Sequence, residues 1–227
     1  NNPNPNPNPN LPQHVTPTRE VIQADAVAWL QTADLGEGSI ITSLPDVSAF
    51  EAQGFGYWRA WFIEAVRLCL TKLSPQAVGI FYQTDIKRDG VWIDKGFLCQ
   101  LGAEAAGSAL LWHKVVCRAP AGQVTFSRPA YSHMLCFSRA LRLEPGASTA
   151  DVLPSTGLMT WAQAMGVDAA LAAVRFIKTH TTSRVVIDPF CGRGTALAVA
   201  NGCGLDAVGV DVSGKMCRHA RRLTLEQ

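Results

Sequence analysis

Along most of the chain, apolar runs of strand length alternate with stretches whose apolar residues recur at helical spacing. Strands are predicted at Arg19–Gln23, Ser39–Ser43, Ala77–Gln83, Ala109–Val116, Ser132–Phe137, Arg184–Ile187 and Ala207–Val210. Helices are predicted at Ala26–Thr32, Trp58–Leu73, Phe97–Ala106, Trp161–Lys178, Thr195–Asn201 and Gly214–Leu225. In Trp58–Leu73 the apolar residues Trp58, Trp61, Phe62, Ala65, Val66 and Cys69 fall on one helical face. Helices of this length between strands imply an α/β fold with a doubly wound, mainly parallel, Rossmann-like sheet covered on both faces.

Two stretches break the alternation. Residues 1–12, NNPNPNPNPNLP, are low in complexity, and repeated proline removes donors and restrains each preceding residue. They are expected to be a disordered tail, leaving residues 13–227 as a single domain. Leu143–Pro154 is the best internal linker, and Thr84–Lys95 is polar and turn-rich around Asp89-Gly90.

Composition narrows the class. With 48% hydrophobic and 17% charged residues the chain can bury a substantial core. Its balance of 20 basic and 18 acidic residues, +2 overall, leaves any nucleic-acid footprint to local clusters. The seven cysteines include no CxxC pair, which points to reduced, mostly buried thiols and a cytoplasmic location. Neither a structural metal nor a membrane span is expected, because paired ligand spacing and long apolar runs are both missing.

The densest chemistry lies in Val185–Ser213, VVIDPFCGRGTALAVANGCGLDAVGVDVS. It reads strand, glycine turn, helix, strand, acid. Gly192 and Gly194 permit a tight turn and close approach of the backbone. The helix that follows offers free N–H groups at its start. Asp211 ends the next strand, where a carboxylate can accept bonds from ribose hydroxyls. An adenosine cofactor fits this pattern, while Leu197 in place of a third glycine weakens a dinucleotide reading.

The run Asp188-Pro189-Phe190-Cys191-Gly192-Arg193-Gly194-Thr195 resembles the D-P-F-x-G-x-G-T motif of amino-methyltransferases that modify nucleobases, especially the permuted β class of DNA methyltransferases. GVDVS resembles the segment carrying the ribose-binding acid, here Asp211 followed by Val212. EVIQADAVAWLQ is similar to the family's strand-plus-acid segment and would place Asp25 near the adenine. LLWHKVVCRAPAG and SRPAYSHMLCFSR are similar to its later paired strands. The resemblance spans nearly all of residues 19–225. It implies S-adenosyl-L-methionine as cofactor, held by Asp25, Asp188–Cys191, Gly192, Gly194, Thr195, Asp211 and Val212, with the catalytic strand preceding the cofactor strand.

Ser43-Leu44-Pro45-Asp46 stands where the family has its catalytic D/N/S-P-P-aromatic tetrapeptide. The resemblance implies that Ser43 and a backbone carbonyl accept bonds from the target amine. Leu44 and Asp46 depart from the pattern, and the loss of the aromatic removes a stacking platform often worth about 1–3 kcal/mol. Asp46 is either a base or cation binder at the site, or a cap for the next turn.

Three loops should gather at the carboxyl edge of the sheet, at 44–57, 84–95 and 113–133. Lys87, Arg118, Arg128 and Tyr131 supply cations and an aromatic there, suited to phosphates and bases. His113 and His133 flank the third loop and are expected to pack as strand residues rather than bind metal, since no cysteine or acid completes a ligand set with them. The chain has no room for a long target-recognition insert, so RNA, read by shape, is the expected partner, with DNA, a protein or a small molecule as alternatives. A catalytically silent cofactor-binding subunit is a further alternative. The oligomeric state stays open.

Overall fold

The computed structural model describes residues 16–126 and 128–225; the Asn-Pro stretch lies outside them. Ten strands and six helices follow in chain order: β1 (Arg19–Gln23), α1 (Ala26–Thr32), β2 (Ser39–Thr42), α2 (Phe55–Lys72), β3 (Gly79–Gln83), β4 (Ile86–Arg88), β5 (Val91–Ile93), α3 (Lys95–Ala105), β6 (Ala109–Cys117), β7 (Tyr131–Ser138), β8 (Val152–Leu153), α4 (Val167–His180), β9 (Val185–Asp188), α5 (Thr195–Gly202), β10 (Asp206–Asp211) and α6 (Gly214–Arg222). Eight strands form one sheet in the order β1-β10-β9-β2-β3-β7-β6-β8. Only β7 runs against its neighbours, pairing antiparallel with both β3 and β6. This is the doubly wound, mainly parallel sheet that the alternation predicts.

Strand side chains alternate between the faces, and the core divides accordingly. Ile41, Ile80 and Val186 pack under α4, α5 and α6, against Ala173, Leu197 and Cys217. Ile40, Phe81 and Leu135 pack on the other face under α1, α2 and α3, against Leu30, Phe62 and Leu98. The chain winds from β9 through α5 to β10 on one side, and from β2 through α2 to β3 on the other. The neighbouring strands β9 and β2 therefore flank the topological switch point, where an open α/β sheet binds its ligands.

Three segments differ from expectation. The 143–154 linker ends in β8, which pairs with β6 and closes that edge, and Lys114 Nζ fixes it by donating to Thr149 Oγ1 at 2.8 Å and to the Ala150 carbonyl at 2.7 Å. The polar stretch 84–95 contains the β4–β5 hairpin, turned by Asp89 and Gly90 at φ 51° and 76°. The alanine-rich helix begins at Val167, not Trp161. Gly166 lies at φ 87° with its backbone against the Thr156 carbonyl, so helical propensity in WAQAMG yields to docking of residues 154–166 on the body of the protein. None of the described helices is long and apolar enough to cross a membrane.

Candidate active site

The loop after β9 and the loop after β2 meet at the switch point through one buried bond: Thr42 Oγ1 donates to Asp188 Oδ1 at 2.6 Å. The Phe190 amide donates to the same oxygen at 3.2 Å. Burial pushes the Asp188 carboxyl up to about 7, more than these two bonds lower it, and Asp211 adds to the rise. Asp188 thus ties the two loops together from beneath, and its side chain is enclosed by protein.

Asp211, at the end of β10, holds the glycine turn from the side. Its Oδ2 accepts from the Gly192 amide at 3.0 Å and its Oδ1 from the Ser213 amide at 2.7 Å. Each carboxylate oxygen keeps a lone pair for a further donor. Gly192 and Gly194 have φ of 53° and 84°, as a left-handed turn requires. Their missing side chains serve the protein's own packing as well. A Cβ on Gly194 would lie 2.9 Å from Ala220 Cα in α6, and one on Gly192 would lie 3.1 Å from the Trp161 ring. Expecting the glycines to clear space for a ligand alone misses these neighbours.

The remaining motif residues follow the turn. Pro189 and Cys191 are buried beneath it, and Thr195 starts α5 with its hydroxyl 2.6 Å from that of Thr160. The Phe190 ring meets Trp61 edge-on at 5.7 Å. Val212 is 72% exposed beyond Asp211. Asp25 stands at the end of β1, the strand beside β10, and caps α1 by accepting from the Ala28 amide at 2.8 Å. The carboxyl ends of β1, β10, β9 and β2 consequently align the residues expected to hold a cofactor along one edge.

The loop after β2 is held by distant elements. Ser43 is half-buried and Leu44 fully buried in the core beneath α2. The Pro45 carbonyl accepts from the Trp58 indole at 3.1 Å, which leaves one lone pair. Asp46 takes the turn-capping role, its Oδ1 accepting from the Val47 amide at 2.8 Å, and the same oxygen lies 3.3 Å from Lys95 Nζ. Lys95 is only 4% exposed, whereas Asp46 is 42% exposed. Burial lowers the Lys95 pKa, opposed by Asp46. Both contacts use Oδ1, and among the described residues Asp46 Oδ2 has no hydrogen-bond partner.

Beside this loop lies a cluster of aromatic rings. Phe50 contacts Trp61 at 4.6 Å and Tyr57 at 6.0 Å, and Tyr57 is 54% exposed. Sequence reasoning does not place Phe50, Tyr57, Trp58 or Trp161 at the site; the aromatic density of 50–62 is the signal for the first three, and nothing in the chain order pairs Lys95 of the 84–95 loop with Asp46.

The third loop region holds a polar network. Asp85 Oδ2 lies 2.9 Å from His133 Nε2 and accepts from the Trp92 indole, while Oδ1 accepts from the Lys95 amide at 2.8 Å. Burial raises the Asp85 pKa, but the bonds from His133, Trp92 and Lys95 outweigh it and hold the carboxyl below its ordinary value. His133 Nδ1 continues the chain to His113 Nε2 at 2.9 Å. Asp94 completes a set of three ligand-type atoms with Asp85 and His133, all within 4.8 Å. The expectation that no acid accompanies the histidines is therefore corrected, since the β4–β5 hairpin brings both aspartates to them.

Of the expected substrate residues, Arg118 and Tyr131 sit together at the base of the 118–130 loop. Arg118 donates to Thr84 Oγ1 at 3.0 Å, and the Tyr131 ring packs edge-on against His133. Arg128 is exposed in that loop. Lys87 lies on the hairpin with its ammonium 4.9 Å from the Trp92 ring centre.

No family model matches the sequence, and no curated protein sequence matches it. Solved structures match over nearly the whole chain. A candidate DNA modification methylase from Thermus thermophilus, solved with S-adenosyl-L-methionine, superposes with a TM-score of 0.69 at 16% identity, covering 89% of this chain and 91% of that one. The cytosine-N4-specific PvuII DNA methyltransferase superposes at 0.71 with 14% identity, covering 93% and 89%. M1.HpyAVI in complex with the same cofactor gives 0.57 at 16% identity, covering 92% and 100%. The chain carries the α/β fold of these DNA methylases.

Proposed function

We propose that this protein is an S-adenosyl-L-methionine-dependent methyltransferase that modifies an amino group of a nucleobase. The observation that carries the reading is the pair of loops at the switch point, the glycine turn braced by Asp211 and the Ser43–Asp46 loop, joined by the Thr42–Asp188 bond. Two of the matching structures hold that cofactor on the same fold.

The residues fit the cofactor. Asp211 has lone pairs left for ribose hydroxyls, the turn at 192–194 and the start of α5 present backbone amides, and Asp25 lies along the same edge. When bound, the sulfonium supplies an electrophilic methyl group. Ser43 and Asp46 Oδ2 accept hydrogen bonds from the target amine and orient its lone pair. The Lys95–Asp46 pair fixes that carboxylate, and the Trp58 bond to the Pro45 carbonyl fixes the loop behind it. The proton released as the N–C bond forms passes to Asp46 or to solvent. Phe50 and Tyr57 offer the stacking surface that Asp46 cannot supply.

Compactness no longer favours RNA. The matched chains are covered over 89% to 100% of their length and are named as DNA methylases or as M1.HpyAVI, so a chain of this size suits a DNA substrate equally well. We take DNA as the first substrate to test and RNA as the second. Calorimetry with the cofactor, then transfer of a labelled methyl group to separate DNA, tRNA, rRNA and protein pools, tests the reading. Cofactor binding with label on nucleic acid is expected. A well-folded protein that binds no cofactor overturns the reading; label on protein alone overturns the substrate class; binding with no transfer to any pool indicates a silent subunit.

A further inference from the structure

Helix α6 is the most basic element of the fold, with Lys215, Arg218, His219, Arg221 and Arg222 and no acid within it. Cys217 and Ala220 face the core, and Arg221 turns back to donate to the Val21 carbonyl at 2.6 Å. Lys215, Arg218, His219 and Arg222 then fall at i, i+3, i+4 and i+7, a single outward stripe about 10 Å long. All four are exposed. Among the described residues none of them has a carboxylate within salt-bridge distance.

The stripe ends in a pocket of about 380 Å³ lined by Arg193, Thr160, His219, Arg222, Leu223 and Thr224. Arg193 comes from the glycine turn itself. Its guanidinium lies 5.2 Å from the Trp161 ring centre, which fixes its orientation. Its Nε is buried and has no hydrogen-bond partner among the described residues. A half-buried cation held in place without a counter-charge calls for an anion. Arginine's fork matches the paired oxygens of a phosphate.

We propose that this pocket and the α6 stripe bind the phosphodiester backbone of the substrate strand, with Arg193 and Arg222 on one phosphate and Arg218 and Lys215 on the phosphates that follow. The inference rests on the nucleic-acid reading above and adds a binding face to it. This face is distinct from the 113–133 loop, which sits across the sheet beyond β3. Because Arg193 belongs to the turn braced by Asp211, a seated phosphate also places the strand in register with the cofactor side of the switch point.

The test uses the full chain with S-adenosyl-L-methionine and one labelled 20-nucleotide single strand, made as DNA and as RNA, followed by fluorescence anisotropy across a salt series. Each phosphate contact contributes about 0.7 to the log–log salt slope, or about fivefold in affinity at 0.1 M salt relative to 1 M. Arg218→Glu/Arg222→Glu should flatten the slope by about 0.7 to 1.4, because Arg193 stays on the phosphate it shares with Arg222, and weaken binding roughly 5- to 25-fold on whichever strand binds. Cofactor affinity by calorimetry should not change. Arg218→Gln/Arg222→Gln repeats the test without reversing charge, should the first pair fold poorly. Wild-type affinity and slope in both double variants overturns the inference and leaves the nucleic-acid reading standing. Failure of the wild type to bind either strand, alone or annealed to its complement, overturns both.

Discussion

The two loops at the switch point are built in opposite ways. The polar bracing of the loop after β9 comes from within its own βαβ unit and the residues that follow it: Asp188 takes the Phe190 amide, Asp211 takes the amides of Gly192 and Ser213, and Gly194 presses on α6, the next helix. The loop after β2 has no such closure. Its carbonyl is held by Trp58, its carboxylate by Lys95 at the far end of the β4–β5 hairpin, and its leucine by the core under α2. A self-braced loop can be recognised from a short motif, because the residues that define it are neighbours in sequence. A loop braced from elsewhere can change its chemistry when a distant partner changes, and here Asp46 stands with Lys95 where an aromatic residue is expected.

The comparison breaks most readily at Gly194. A valine there would place its Cβ against Ala220 in a left-handed conformation, which should destabilise the fold by about 2–4 kcal/mol. In a thermal melt this is a fall of roughly 5–10 °C. Cofactor binding would then be lost through the fold rather than through a blocked site. A Gly194→Val protein that melts like wild type shows that the α5–α6 packing is looser than drawn. Asp211→Ala comes next: it removes an acceptor from two amides and from the ribose, so cofactor affinity should fall about 10- to 100-fold by calorimetry. A loss below about threefold, well short of one hydrogen bond to a charged group, would show that Asp211 only braces the turn.

The loop after β2 should respond differently. Asp46→Asn and Lys95→Met should each leave cofactor affinity within about twofold and lower turnover about tenfold, because both act beyond the methyl group. If the pair acts as a unit, the double variant should be no slower than the worse single one. Full activity in Asp46→Asn would reduce that residue to the turn cap seen at Val47.

The same asymmetry explains what was legible from sequence. Strand and helix order, the glycine turn and Asp211 follow from local patterns, and each stands where the pattern places it. Residues 154–166 misled because WAQAMG is helical by composition, yet Trp161 and Thr160 are spent covering Gly192 and Thr195. The pairing of Lys95 with Asp46 could not be read, since only the hairpin's return brings the lysine to that residue, far earlier in the chain. The acids beside His133 could not be read for the same reason: they arrive from the hairpin and not from its own strand. Local closure is visible in a sequence, while long-range closure of polar side chains is not.

The smallest effect expected belongs to the one bond that joins the two loops. Asp188 titrates near 7 in the folded protein because burial disfavours its charge, against 3.8 as an ordinary carboxyl. Between those values the folded state binds more protons than the unfolded one, so stability from this group is complete below about pH 4 and is lost as pH rises through 7. Asp188→Asn keeps an oxygen for Thr42 and Phe190 and removes the charge. The variant should melt about 2–4 °C above wild type at about pH 8, a gain on the order of 1 kcal/mol, and the difference should shrink as pH falls towards about 5. A constant offset between the two melting curves from about pH 5 to about pH 8 would mean that Asp188 is ionised throughout and that the charge, not only the bond to Thr42, holds the loops together.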